Sequence, residues 1–357
     1  MTEDAQMGAV LAMEAGYEAG WSDGLPVLPP VREKVDEFLR WTPRRPDEVL
    51  LTFEHVGREC TVELAAANAV MAGCRPEYLP VVIAALEAIR AEGVATVGAW
   101  QSTTGSAPLL VVNGPVRQAL GFNSAGNVFG PGFRANATVG RAIRLIILNV
   151  FGIRPHDLEQ ATQGTPAKYT CCIAENEEQS PWEPLHVDLG YPKDAGVVSS
   201  LHVRSIDFLD NRQANRPEQL LNDLANSITR TGAQVNARTT VLVVLGPEHA
   251  QWLAAQGYSK ADVRQALWER AVRSYRDLAR AGKEAVDQPL GWRRPHRAED
   301  GPQPDPDTMI RLVQRPEDIV LVVAGAANAG VSAVAHALGA SLNPDFQGLG
   351  SARIDTV

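Results

Sequence analysis

The chain has 357 residues, of which 45% are apolar and 21% charged, with a net charge of −9 and a pI near 5.4. That length supports a large core, and the acidic balance, with no basic stripe, excludes nucleic acid as a partner and offers no attraction to an anionic membrane surface. The opening residues carry no basic segment ahead of an apolar one. The longest apolar run, "AIRLIILNV", is broken by arginine and is too short to span a bilayer. Four cysteines, Cys60, Cys74, Cys171 and Cys172, with no C-x-x-C pair make no disulfide framework. The expectation is a cytoplasmic chain with reduced thiols, outside the membrane.

Residues 1–50 predict an N-terminal helix and an extended arm. In the arm, "WSDGLPVLPPV" turns at Asp23-Gly24 before its prolines favour an extended path. Helix patterns follow over about 62–72 and 80–91, and Gly73 is well placed as the left-handed residue that closes the first. A short β-branched run, a glycine turn and a helical stretch then recur three times, in "LLVVNGPVRQAL", "VLVVLGPEHAQWL" and "IVLVVAGAANAGVSAVAHAL". The pentapeptide "VRQAL" itself occurs at 116–120 and at 263–267. Strands that are apolar throughout, rather than alternating, point to a sheet covered on both faces. The expectation is an α/β fold in which strand–glycine turn–helix units form a largely buried mixed or parallel sheet. Residues 51–282 would form the main domain and hold the site. The charged, proline-rich 283–309 would be a linker or excursion, and 310–357 would add a strand–turn–helix to the same sheet.

Four segments carry candidate chemistry. "VMAGCRPEYLPVV" places Cys74 between two helices with Arg75 adjacent. If Pro76 opens the second helix, the helix start and the arginine favour a thiolate; if Pro80 opens it, the thiol is a small packed hydrophobe. In 127–150 a glycine-rich loop leads into a helix with Asn136 or Thr138 as its N-cap. There Arg134 precedes Arg141 and Arg144, which share one face with Thr138 and need anionic partners, either internal carboxylates or a substrate. Neither the P-loop nor the dinucleotide glycine pattern is present, so no NAD, ATP or FAD is expected. "KYTCCIAENEEQSPWEPLHVDLGY" gathers Glu175, Glu177, Glu178, Glu183 and His186 beside Cys171-Cys172, with Trp182 and prolines that predict a rigid, packed loop. "WQSTTGSAPLLVVNGP" offers Thr103, Thr104 and Ser106 around Gly105, and Asn113-Gly114 past the end of a strand, where ligands bind in α/β sheets.

Together these predict an enzyme of lyase, hydrolase or thiol-dependent transfer type. Cys74 would be the nucleophile or redox thiol, and Glu178 or His186 would move protons. Thr103, Thr104, Ser106, Asn113, Arg134, Asn136, Arg141 and Arg144 would hold a small anionic substrate. One alternative is a divalent-metal hydrolase or lyase using Glu175, Glu178 and His186, the one case in which a cofactor is expected. Another is a non-catalytic subunit that positions a partner. A homodimer is expected from exposed apolar helices.

The motifs "GWSDGLPVLPP", "NAVMAGCRPEYLPVV", "TTGSAPLLVVNGP", "GPGFRANATVGRAIRLI", "KYTCCIAENEEQSPWEPLH" and "VLGPEHA" resemble a bacterial protein family frequent in actinobacteria and soil bacteria. The resemblance spans about residues 17–270. That family is associated with small partner proteins carrying a Sec/Cys-Gly-Ser-Cys motif, which implies thiol or selenol chemistry and such a partner here. The chain departs from the family pattern at "AGAANAGVSAVAH", where a Gly-Gly-x-Gly…His arrangement is expected, and at "FLDNRQANRPE".

Overall fold

The computed structural model describes residues 3–93, 98–230, 239–283, 285–287, 293–337 and 348–355. Helix α1 (Glu3–Glu18) and α2 (Arg32–Leu39) precede a hairpin of β1 (Val49–Phe53) and β2 (Arg58–Thr61). Helices α3 (Val62–Ala72) and α4 (Leu79–Glu92) lead to β3 (Ala107–Asn113), the single turn α5 (Val116–Ala119), α6 (Arg134–Asn149), β4 (Cys172–Ala174), α7 (Leu185–Asp188) and the long β5 (Val197–Asp210). Then come α8 (Pro217–Ile228), β6 (Val241–Leu245), α9 (Pro247–Ala255) and α10 (Lys260–Arg270). An excursion carries β7 (Val272–Ser274), α11 (Tyr275–Arg280), β8 (Ala285–Asp287), β9 (Arg293–Pro295) and β10 (Met309–Arg311); the last strands are β11 (Ile319–Val323), β12 (Val331–Ala337) and β13 (Gly350–Arg353).

Seven strands form one mixed sheet in the order β11-β6-β12-β5-β3-β4, with β13 also on β5. The pairs β3–β4 and β6–β11 are parallel and the rest antiparallel. The order resolves into two matching halves, β4-β3-β5 and β11-β6-β12, which meet where β5 runs beside β12. The outer edges of the two halves also touch: Asn176 N–H donates to Val323 O (2.7 Å) and Val323 N–H to the Glu175 carboxylate (3.3 Å). The sheet therefore curls round on itself.

Curling explains why the strands read as apolar throughout. Alternate residues such as Leu109, Val111, Ile173, Leu201, Val244 and Val322 fill the enclosed face. The intervening Leu110, Val112, Cys172 and Val198 pack under α3, α4 and α6, while Val243, Leu321, Val323 and Val334 pack under α8, α9 and α10. Strands β3, β4, β6 and β11 and the first half of β5 thus keep their period of two with both phases largely buried.

Gly73 closes α3 at φ 84°, as its position predicts. The third strand–turn–helix unit is corrected: "GVSAVAHA" is strand β12, not helix. It fills an antiparallel slot between β5 and β6, where its small and β-branched residues suit two covered faces better than a helix would. Segment 283–309 is not a bare linker either, since β8 pairs with β9, and β10 returns to β7. Helix α1 stands off the body with Met7, Val10 and Leu11 each more than half exposed. Among the described residues no helix is long and apolar enough to cross a membrane.

Candidate functional site

The residues singled out in the sequence fall in three places. At the end of β3, Gly114 (φ 85°) turns the chain into α5 and so places Arg117 under the turn. Arg117 donates to Gly114 O (3.0 Å) and Glu175 O (2.7 Å), and its guanidinium pairs with Glu177 (3.0 Å) and Glu178 (2.9 Å). Glu177 also accepts from Gly114 N–H (2.7 Å) and Asn113 Nδ2 (3.1 Å). Fully buried Glu175 accepts from Asn113 Nδ2 (2.7 Å) and Leu185 N–H (2.8 Å). Burial pushes the Glu175 carboxyl above its ordinary range, and the Lys260 charge offsets only part of this. The Arg117 bonds hold Glu178 below that range.

His186 is fully buried. Its Nε2 meets Lys193 O (3.2 Å), while Nδ1, 3.9 Å from Glu177, has no hydrogen-bond partner among the described residues. So Asn113, Glu175, Glu178 and His186 do assemble, and Trp182 packs the loop against the core, but the charges satisfy one another. The centre of the cluster is Arg117, which the sequence reading passed over inside "VRQAL". The signal for it was an arginine three residues past a strand-ending glycine, with a run of glutamates elsewhere needing a cation. Among the described residues no three His, Cys, Asp or Glu side chains are placed to share a metal ion, so the expected Glu175, Glu178 and His186 ligand set is not formed.

The second place is the α3–α4 junction. Arg134 donates to Gly73 O (2.9 Å) and Cys74 O (3.3 Å), capping the end of α3. Pro76 opens only a single 3₁₀ turn; α4 begins at Leu79, with Pro80 in its first turn. Cys74 is buried in the helical layer, and burial pushes its thiol up to about 12, outweighing the Thr138 hydrogen bond and the Arg134 and Arg141 charges. This reverses the depressed value expected from a helix start beside Arg75. All four cysteines are free and buried, and burial raises each thiol above its ordinary range. Nor do Asn136 and Thr138 cap α6, which already begins at Arg134. Asn136 instead ties Asn123 (2.8 Å) to Cys172 O (3.1 Å), and Thr138 Oγ1 donates to Arg134 O (2.7 Å).

The third place is a cavity of about 520 Å³ beside α6, lined by Asp23, Arg144, His156, Glu159, Thr162, Thr165, Lys168 and Tyr169, among others. Arg141 forks onto both Asp23 oxygens (2.7 and 2.9 Å) and onto Leu25 O and Pro26 O, pinning the N-terminal arm across the helix. Arg144 pairs with Glu159 (2.8 Å), and Lys168 binds the same carboxylate. Burial opposes the Glu159 charge, yet the Lys168 and Arg144 bonds outweigh it and hold that carboxyl below its ordinary value. Burial also lowers Lys168, with Arg144 adding to the effect and Glu159 resisting it.

Thr103 supports the cavity through its backbone, accepting from Thr162 N–H (3.0 Å), and Gly105 (φ 68°) lies so close to Gly164 that a side chain would collide with its backbone. Thr104 bonds Ser102 (3.0 Å), and Ser106 is buried with a hydroxyl that finds no partner among the described residues. That loop is therefore a wall behind the site. Arg141 and Arg144 found internal carboxylates, one of the two outcomes their spacing predicted. Asp23, Glu159 and Lys168 were missed, because their partners lie 118, 15 and 9 residues away, beyond the reach of any helical or strand period.

A further buried network, Glu92, His202 and Trp100, went unread. Trp100 Nε1–H donates to His202 Nε2 (2.7 Å), which leaves the Nδ1 proton to bond Glu92 (2.9 Å). Ser200 and the His202 amide complete the carboxylate's shell. Compared with family models, curated proteins and solved structures, the chain matches none of them.

Proposed function

We propose that the chain is an enzyme for a small organic anion, a carboxylate or phosphate ester, bound in the cavity beside α6. The observation that carries this reading is the double claim of Arg144 and Lys168 on one carboxylate at the cavity wall. Arg141 already neutralises Asp23, so an incoming anion meets Arg144 and Lys168 opposed by Glu159 alone and can displace part of that pairing. Arg144 would anchor the anion in bidentate fashion. Lys168, lowered by burial, is nearer than an ordinary lysine to the pKa of a useful base. Released from Glu159, it would take or give the proton in a lyase- or hydrolase-type step.

The reactive-thiol alternative keeps two supports, the Thr138 hydrogen bond and the Arg134 and Arg141 charges near Cys74, and burial outweighs them. The test is calorimetric titration with succinate and with inorganic phosphate. Arg144→Ala should weaken the bound anion about tenfold or more, since a hydrogen bond to a charged group contributes roughly 1.5–3 kcal/mol. Lys168→Met should weaken it less while flattening any pH–rate profile. Absence of binding by both anions, or binding indifferent to Arg144→Ala, would sink the reading.

A further inference from the structure

A second cavity, of about 440 Å³, opens on the other half of the sheet, at the C-terminal ends of the parallel pair β6 and β11. Its volume lies within the roughly 300–1,000 Å³ range of small-molecule sites, and such strand ends are where α/β sheets bind ligands. Two loops form it, 126–130 and 324–328, together with the start of β12 and Phe208 on β5. The loops are locked to each other and to the rest: Gly325 N–H donates to Ser124 O (2.9 Å) and Asn176 Nδ2 to Gly325 O (3.3 Å). Gly126 faces Ala326 so closely that a Cβ would press on it, and Asn127 folds over Gly130.

Asn127 and Ala329 hold left-handed backbone at φ 62° and 64°, which is costly for alanine and is sustained by fixed neighbours. Those neighbours are Glu248, which accepts from Gly330 N–H (2.6 Å), and Asn211 N–H, which donates to Gly330 O (3.0 Å). The cavity is therefore preformed.

Its chemistry differs from that of the charged cavity beside α6. Among the described residues no charged side chain lines it; it presents Phe129 and Phe208 in an edge-to-face pair (5.8 Å between centroids), the amide of Asn328, the Asn127 side chain, whose Nδ2 donates to Pro131 O (2.8 Å), Ser332 and glycine backbone. Phe208 is 66% exposed, so its ring is open to a ligand entering the cavity. An ionic group entering this lining would lose its water with no counter-charge, whereas a neutral flat ring gains stacking and an amide edge gains partners. We infer that this cavity binds a neutral planar aromatic or heteroaromatic group bearing an amide-like hydrogen-bonding edge, at a site independent of the anion cavity.

Three nearly isosteric probes separate the possibilities on the full chain: benzamide, benzoate and benzamidine, followed by saturation-transfer NMR and titration. Benzamide should bind saturably, and, in the Arg144→Ala background that disables the anion cavity, at least tenfold more tightly than either charged probe. Phe208→Ala removes an exposed ring, so the fold tolerates it, and it should weaken benzamide tenfold or more with an unchanged melting temperature. Phe129→Ala should weaken it similarly, with a lower melting temperature because that ring also packs on the enclosed core. Arg144→Ala, which bears on the anion cavity, should leave benzamide binding unchanged, so failure of one site does not mimic failure of the other. Absent benzamide binding, equal binding of all three probes, or affinity indifferent to Phe208→Ala each overturns the inference.

Discussion

The two halves of the sheet share one plan and use it differently. In each, a strand ends in Gly-Pro, a helical turn follows, a parallel strand lies on one side and an antiparallel strand on the other. Gly114 and Gly246 occupy matching places: a Cβ on the first would fall onto the Ala195 carbonyl, and on the second onto the Val331 carbonyl. Three residues past each glycine comes a buried polar side chain, Arg117 in one half and His249 in the other. Arg117 is surrounded by glutamates. His249 bonds neutral groups, Ser332 Oγ (2.8 Å) and Asn211 O (3.0 Å), while Gly246 N–H donates to the same Ser332. One half is plugged by a charged loop; the other leaves an uncharged cavity. Backbone constraint is thus common to both, and the side chain after the turn decides whether charge or open space follows.

Removing the shared constraint should produce the largest effects. Gly114→Ala adds both a collision and a left-handed alanine, and should cost about 4 kcal/mol or prevent folding. Gly246→Ala, whose φ of −61° is ordinary, meets only the collision and should cost roughly 2 kcal/mol. Urea denaturation measures both, and equal losses would break the comparison.

Next comes the charge difference. Arg117→Met strands the Glu177 carboxylate and should cost about 3 kcal/mol at neutral pH, less in acid where the carboxylates protonate. His249→Phe abandons neutral hydrogen bonds and should cost about 1–2 kcal/mol. If the histidine change costs as much as the arginine change, charge is not what separates the halves.

A smaller effect concerns pH. The folded Glu175 carboxyl is raised, so its contribution is fully present below the ordinary value of 4.5 and is lost as pH rises through the raised one. Glu178 is lowered and works in reverse, its contribution present above 4.5 and lost on acidification. Glu175→Gln should therefore flatten the decline of the urea midpoint above pH 4.5. An unchanged slope would refute the assignment.

The smallest effect is expected at the thiol. With Cys74 raised to about 12, native protein should alkylate with iodoacetamide no faster at Cys74 than at Cys60 or Cys171, and all three far more slowly than in urea. Cys74→Ala should cost about 1 kcal/mol. Selective alkylation of Cys74 in the native protein would revive the nucleophile.

The two-sided sheet was legible because an unbroken β-branched run leaves a strand no polar face to turn to water, and the glycine turns because Gly114 and Gly73 need left-handed backbone. The helix misread at 331–337 shows the limit: alanine and valine suit both elements, and only the slot between β5 and β6 settles the matter. Of the site, the spacing of Arg141 and Arg144 exposed a need for carboxylates without naming Asp23 and Glu159, which are local neither to the helix nor to each other. Cys74 misled because adjacency to Arg75 is visible in a sequence while burial in the helical layer against α6 is not.

The long strand β5 has a consequence for how the molecule assembles. Its first half pairs with β3 and β13, its second with β12, so Ser200 must find both Leu110 and Gly350, and Asp210 must find Val331. Neither half can complete its sheet until distant chain returns to this strand, and such high contact order places folding in the slow, millisecond-to-second regime or beyond. The same wiring makes the finished protein tolerant of a cut. A protease nick in the exposed 301–308 stretch would separate β10, β11, β12 and β13 covalently from the rest, yet leave them hydrogen-bonded into it. The two pieces should co-elute under native conditions and part only in denaturant.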